Sequence, residues 1–443
     1  MTIFTLSRKN ILSKPLHSLM SVLLFALSIG LVTFITLFNH QLKQGLDQNL
    51  AGIDLVIGAK GSPLQLILNS MYHIDAPTGN ISLEEAAPFL HPAHPLISQA
   101  IPLSLGDSYG AYRIVGTPPS ILSLYGAKTI QGNLYIQDFD VVAGSDVADR
   151  LDLHLGQAFY STHGLEDNPD LAHDHGRPFI VKGILTPTGT VLDQILLCTP
   201  QTIWKVHEHD TIVASDAHAN TDHQHVHDDT PSGADQITDI DLAQTQILSD
   251  SIMSVLRSHP EQDITSILVR FKNKTSIGSL NFLRNINTNT GLMAASPALE
   301  INRLYAMMGS GTDALGYLAI LISVVAAVSV FISLYTSLRD RQYEIALLRV
   351  GGAGPGKIFL MIIFEGMWIT LTGLALGMLA GHAGMSLAGS ILEHGYKYRF
   401  TGAIWTMEEV WIIFVALVVG MLASFLPAIR GSRVNLHQTL AER

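Results

Sequence analysis

The stretch GGAGPGKI (351–358) reads G-x-x-x-x-G-K. A glycine-rich turn that ends in lysine has the makings of a phosphate cradle: backbone N–H groups hold the phosphates, and the lysine neutralises the outermost one. Such a cradle also needs Ser or Thr after the lysine, to ligate Mg²⁺, and a buried strand before it. Here Ile358 follows Lys357. The preceding RQYEIALLRV (341–350) sets Ile345, Leu348 and Val350 among charges at a spacing closer to a helix than to a strand. The reading is a turn beside a short amphipathic helix, in a chain that is not itself an ATP-hydrolysing enzyme.

Two other groups of residues could do chemistry. Residues 206–229, VHEHDTIVASDAHANTDHQHVHDD, hold six histidines (His207, His209, His218, His223, His225 and His227) with six acids and no aromatic residue. His223, His225 and His227 alternate, as do His207 with His209 and His173 with His175, so an extended chain would put each set on one face. Imidazoles with carboxylates nearby suit Zn²⁺ or Ni²⁺. No H-E-x-x-H or other rigid spacing occurs, and a catalytic zinc needs rigidly held ligands. The plain reading is a solvated, mobile acidic insert over 206–240; loose capture of Zn²⁺ is the alternative. The third candidate is Glu365, a carboxylate inside an otherwise apolar run. It is expected to accept bonds from a neighbouring helix or from Lys357, with a proton relay as the other reading.

The elements that carry these residues are set by the apolar runs. Of 443 residues 48% are hydrophobic and 14% charged, with Glu365 breaking one of four long uncharged stretches: 15–42, 314–338, 358–392 and 410–429. Each is long enough for one helical crossing of a bilayer core about 30 Å thick, which takes roughly 20 residues. The first is too long for the apolar core of a cleaved signal, and no A-x-A site closes it. The fold class predicted is a membrane protein with four transmembrane α-helices (16–39, 314–338, 358–387 and 410–429) and a large α+β domain outside the cytoplasm, over 40–313.

Charge gives the orientation. Residues 1–15, 339–357 and 430–443 together hold ten basic residues against Asp340, Glu344 and Glu442; residues 43–313 hold 14 basic and 30 acidic ones. By the positive-inside rule the first three segments face the cytoplasm, and the large domain and the short 388–409 loop face the other side. The net charge of −11 describes the outer domain and says nothing about nucleic acid, which is not expected as a partner. Within that domain, strands are expected in 53–61, 177–199 (two, around a Pro-Thr-Gly turn) and 263–271. A helix capped by Ser62 and Pro63, a strand–helix–strand over 135–160 and a helix over 276–287 are also expected. From Ser296 a helical pattern leads straight into the second span. The lone Cys198 forbids an internal disulfide. On the third span Gly373, Gly377 and Gly381 share one helix face and suit close helix packing, within the protomer or between copies.

This layout resembles the MacB/FtsX-like (type VII) ABC transporter permeases. RDRQYEIALLRVGGAGPGKIFLMIIFEG (339–366) carries the closest likeness, and FLPAIRGSRVN (425–435) is similar to the family's exit from its last span, with Ile429 inserted before the arginine. VVAGSDVADRLDLHLGQAF (141–159) resembles an element of the family's periplasmic core, and SRKNILSKPLHSLMSVLLFALSIGLV (7–32) its first span. The resemblance implies a bacterial inner-membrane, multi-pass permease subunit, likened to a homodimer in lipid, beside a separate ABC ATPase that binds the ATP and Mg²⁺. It implies work by mechanotransmission, with export or extraction of a substrate on the periplasmic side, and leaves room for a periplasmic adaptor or lipoprotein. It makes Arg339, Arg341, Glu344, Arg349, Gly351 and Gly352 the ATPase-coupling residues. The alternatives are an ATPase-driven regulator of a periplasmic enzyme, of the cell-division type, and a membrane-anchored metal-binding protein.

Overall fold

A computed structural model describes residues 15–74, 76–162, 177–213, 237–396 and 400–433. The chain forms two compact units, Gly45–Tyr305 and a unit of Met1–Gln44 with Ala306–Arg443.

In chain order the described residues form α1 (Pro15–Asn49), β1 (Leu55–Ala59), α2 (Pro63–Tyr72), β2 (Ile81–Ser82), α3 (Leu83–Ala86), β3 (Ile97–Tyr109), β4 (Tyr112–Gly116), α4 (Ser120–Leu124), β5 (Thr129–Gly132), β6 (Asp140–Ala143), α5 (Ser145–Leu151) and β7 (Ala158–Phe159). Then come β8 (Phe179–Leu185), β9 (Leu196–Cys198), α6 (Pro200–Val213), β10 (Ile237–Asp239), α7 (Leu242–Ser258), β11 (Asp263–Ile264), β12 (Ser266–Phe271), α8 (Ile277–Asn289), β13 (Leu292–Ala295), α9 (Pro297–Asp340), α10 (Gln342–Val350), α11 (Pro355–Tyr396) and α12 (Met407–Ser432).

The Gly45–Tyr305 unit is built on one mixed sheet in the order β10-β5-β8-β6-β9-β4-β3-β12-β1-β13, with β7 beside β8. The long β3 joins its two halves, pairing with β12 through Ser266↔Leu103 and with β4 through Ser104↔Gly116. One core lies around Ile57, Ile267 and Leu256, the other around Val141, Val181 and Cys198. Ser62 accepts the Gln65 N–H at 3.4 Å and Pro63 takes the first turn of α2, where its missing N–H costs nothing.

The two strands expected in 177–199 are β8 and β9; they do not pair with each other, because β8 runs parallel to β6 and β6 lies between β8 and β9. Their connection contains a 3₁₀ turn, Val191–Gln194, tied by the Asp193 carboxylate, which accepts the N–H groups of Thr188 and Gly189. The predicted 206–240 insert is ordered at both ends. Residues 206–213 complete α6, because Val206 is buried in the second core, and 237–239 form β10 on β5. His218, His223, His225 and His227, with His173 and His175, lie outside the described residues, as do the side chains of His207 and His209.

Among the described residues four helices are long and apolar enough to cross a membrane: Ser18–Asn49, Pro297–Asp340, Pro355–Ile391 and Met407–Ser432, the first two with one end in the Gly45–Tyr305 unit. A single helix, α9, runs from Pro297 through the second apolar stretch. α11 continues to Tyr396, and α12 starts at Met407 rather than 410. The extra turn comes from a capping box, in which Glu409 is the third helical residue after Thr406. α12 also runs on past Pro427 to Ser432, beyond the Pro-Ala pair read as its exit.

Polar and small residues decide which helices touch. Ser21 of α1 lies 3.1 Å from Ser329 of α9, and Ser28 lies 2.5 Å from Ser323, hydroxyl to hydroxyl. The glycine face of α11 meets α1: a methyl group at Gly377 would sit 2.7 Å from the Ala26 carbonyl oxygen, and one at Gly381 3.0 Å from that of Gly30. Only hydrogen at Cα lets the backbones come so near.

Candidate functional site

The connection from α9 to α11 holds most of the residues singled out for coupling. α10 follows α9 after one residue, Arg341. Its Ile345 and Ala346 are buried against Leu338, Ile358, Met361 and Ala428. With one face fixed there, the opposite face is open: Tyr343, Leu347 and Val350 are 46%, 57% and 66% exposed. Their i, i+4, i+7 spacing makes one apolar stripe, and Glu344 is exposed beside it. This is the shape of a helix that inserts into a partner's groove.

The glycine-rich stretch is a helix stop followed by a helix start. The Gly351 N–H donates to Leu347 O at 2.9 Å, and the Ala353 N–H to Leu348 O at 2.9 Å, closing the last turn of α10. Gly352 holds φ +96, a left-handed backbone that favours glycine, whereas Gly351 at φ −71 is ordinary. Pro355 then opens α11, and Lys357 is exposed. The stretch follows a helix, not the strand that a phosphate cradle requires.

The structure divides the residues expected to couple to an ATPase. Arg339 and Glu344 are exposed and Arg349 half-buried. Arg341 turns inward: its side chain is 14% exposed, its Nη1 lies 3.6 Å from Glu365 Oε1, and Nη2 donates to Ser337 Oγ. Glu365 is 5% exposed. Its basic neighbour is thus Arg341. Lys357 lies about 12 Å away along the same helix at 1.5 Å per residue, whereas Arg341 comes alongside because α10 folds back on α11. The ion pair and the buried Ile345 fix α10 as a rigid extension of the spanning helices.

Two features had no place in the sequence reading. One is the Tyr343–Leu347–Val350 stripe, whose helical spacing is visible in QYEIALLRV. The other is His382, whose ring nitrogens lie 2.6 Å from Gly402 O and 3.2 Å from Glu409 Oε2. No local spacing announces it. Among the described residues no cluster of three or more His, Cys, Asp or Glu could hold a metal ion.

Residues 316–436 match the model of the FtsX-like permease C-terminal domain. That match takes in α9 from residue 316 on, all of α10, α11 and α12, and the glycine-rich turn between α10 and α11. No curated protein matches the chain. Residues 316–436 are therefore similar to the C-terminal domain of the FtsX-like permeases, which supports the MacB/FtsX-like family and, in general terms, a membrane-embedded permease subunit of the ABC transporter kind.

Proposed function

We propose that this permease works by mechanotransmission: a separate ABC ATPase grips α10, and its ATP-driven closure is passed along the spanning helices to the Gly45–Tyr305 unit, which exports or extracts a substrate on the periplasmic side. The observation that carries this reading is α10 itself, open along Tyr343, Leu347 and Val350 and clamped behind by Ile345, Ala346 and the Arg341–Glu365 pair. A lever has to be exposed where it is pushed and fixed where it transmits. The basic residues of 339–357 support a cytoplasmic position for α10 in a bacterial inner membrane, and the acidic excess of 43–313 supports a periplasmic one for the large unit. ATP and Mg²⁺ belong to the partner in this scheme, and the chain is no enzyme. The outward side of α9, with Leu321, Val325, Val328 and Ile332 all about half exposed, suits lipid or a second copy in a homodimer. The histidine-rich segment adds loose capture of Zn²⁺ that is separate from the mechanical cycle.

The test is ATP hydrolysis by the partner ATPase, reconstituted with this chain in lipid. Glu344→Lys and Leu347→Asp are expected to lower the stimulated rate about tenfold or more, which corresponds to about 1.4 kcal/mol, with unchanged thermal unfolding of the permease. Arg349→Glu is a poorer probe, because Arg349 is half-buried and its reversal also disturbs packing. Full stimulation in both chosen variants would sink the coupling role of α10.

A further inference from the structure

The apolar runs of α9 and α12 stop at the same end of the helices, beside α10. Arg339 is the first charge after the run 314–338, and Arg430 the first after 410–429. A charge placed there stands at the edge of a bilayer core, level with the lipid headgroups. The two helix ends lie side by side. Leu338 of α9 and Ala428 of α12 belong to one buried cluster, and a methyl group at Gly431 would run into the Leu338 side chain. The Arg430 guanidinium lies over the Tyr335 ring of α9, 5.6 Å from its centroid, within cation–π range. Tyr335 is itself stacked on Phe331, with centroids 6.1 Å apart.

Each helix leads an exposed apolar stripe into these arginines. On α9, Val328, Ile332, Tyr335 and Arg339 are all exposed and share one face at the i, i+4, i+7, i+11 spacing. On α12 the exposed Leu422 and Leu426 are followed on the same face by the exposed Arg430 and Arg433. The acids at this end point elsewhere. Glu365 faces Arg341 at 3.6 Å, Glu344 belongs to α10, and Asp340 leaves α9 about 100° around from Arg339. Among the described residues neither Arg339 nor Arg430 is paired with a carboxylate. The Tyr335 ring covers one face of the Arg430 guanidinium and leaves its N–H edge open to a phosphate, which such a fork binds well. A zwitterionic headgroup carries its own cation, which competes for that phosphate. A second copy related by a two-fold axis on this face would set arginines against arginines.

We infer that the ends of α9 and α12 beside α10 form a binding site for an anionic phospholipid: Arg339 and Arg430 hold the headgroup phosphate, Tyr335 orients Arg430, and the acyl chains lie along the two apolar stripes. The inference rests on the reading of α9 and α12 as bilayer-spanning helices. It is independent of what α10 does with an ATPase, so its test reads lipid binding alone.

The test uses the full chain in detergent micelles, titrated with dioleoylphosphatidylglycerol or dioleoylphosphatidylcholine. Native mass spectrometry reads the affinity for the first lipid bound. A basic residue at the membrane surface strengthens the hold on an anionic lipid about fivefold, so phosphatidylglycerol is expected to bind about 25-fold more tightly than phosphatidylcholine. Arg339→Gln and Arg430→Gln should each lower this preference about fivefold, and the two together should abolish it. Both arginines are exposed, so their loss opens no core. Tyr335→Leu should lower the preference about twofold to fivefold, by freeing Arg430 from the ring. Lys357→Gln removes an exposed cation of α11 at the same end but off both stripes, and should leave the preference as it is. Equal affinity for the two lipids in the native chain overturns the inference. So does a preference that survives the double variant, or one that Lys357→Gln lowers as much as Arg430→Gln, since the attraction would then be diffuse. A preference shown by monomeric ions and absent from dimeric ones overturns it too, because a second copy would then cover this face.

Discussion

Arg341 and Glu365 show how a charge pair gains its meaning from burial. At 14% and 7% side-chain exposure neither group has water to fall back on, and removing one strands the other. Arg341→Ala and Glu365→Ala are each expected to destabilise the chain by about 3 kcal/mol. The joint replacement Arg341→Met with Glu365→Leu should cost less than either single change, since no orphan charge remains. Unfolding followed in detergent checks this; a joint cost equal to the sum of the single costs would mean that the pair is not coupled. The sequence showed that Glu365 needed a partner but not which one, because the answer depends on how α10 folds back. His382 and Glu409 were less legible still. They are 27 positions apart, and only the return of residues 400–406 brings them together.

Elements were easier to read than their neighbours. Apolar runs and caps are local, so the four long helices, the helix after Ser62 and strands such as β1, β8, β9 and β12 are visible in the residues themselves, whereas the long β3 and its neighbour β4 were not read. Partner choice is not local. The spacing of Gly373, Gly377 and Gly381 declared a packing face, yet only the structure shows that α1 covers it, with Phe25 against Gly373 and Ile29 against Gly377. Likewise β8 and β9 follow one another in sequence, yet β6 takes the place between them. The α1–α11 contact yields a sharp comparison. Gly377→Val has to push apart two backbones, because its Cβ would meet Ala26 O and Ile29 Cβ, both at 2.7 Å. A loss of about 2 kcal/mol is expected. Gly316→Val on α9 has nothing within 4 Å of its Cβ and should be nearly neutral. Equal melting temperatures for the two variants in detergent would contradict the packing assigned to α11.

At the scale of the whole molecule, α9 is the covalent path between the large unit and α10. It starts at Pro297 within one unit and ends at Asp340 beside α10, with 44 residues and a length of about 66 Å at 1.5 Å per residue. Its weakest stretch comes before and at the very start of the apolar run, where Gly309, Gly311 and Gly316 interrupt better helix formers. Each glycine costs a helix about 1 kcal/mol relative to alanine. Nothing lies within 4 Å of a Cβ at Gly309 or Gly311, so alanine fits both positions. If force travels along this helix, Gly309→Ala with Gly311→Ala should preserve the response of the large unit to ATP. Gly311→Pro should remove that response, because proline deletes a helical hydrogen bond and clashes with the preceding turn at about 3 kcal/mol or more. The measurement is hydrogen exchange of residues 45–305 in the reconstituted complex, with and without a non-hydrolysable ATP analogue on the partner. An ATP-dependent change is expected in the native and alanine proteins and should be absent from the proline variant, whose ATPase stimulation persists because α10 is untouched. A proline variant that shows the full change would mean that the signal does not run along α9.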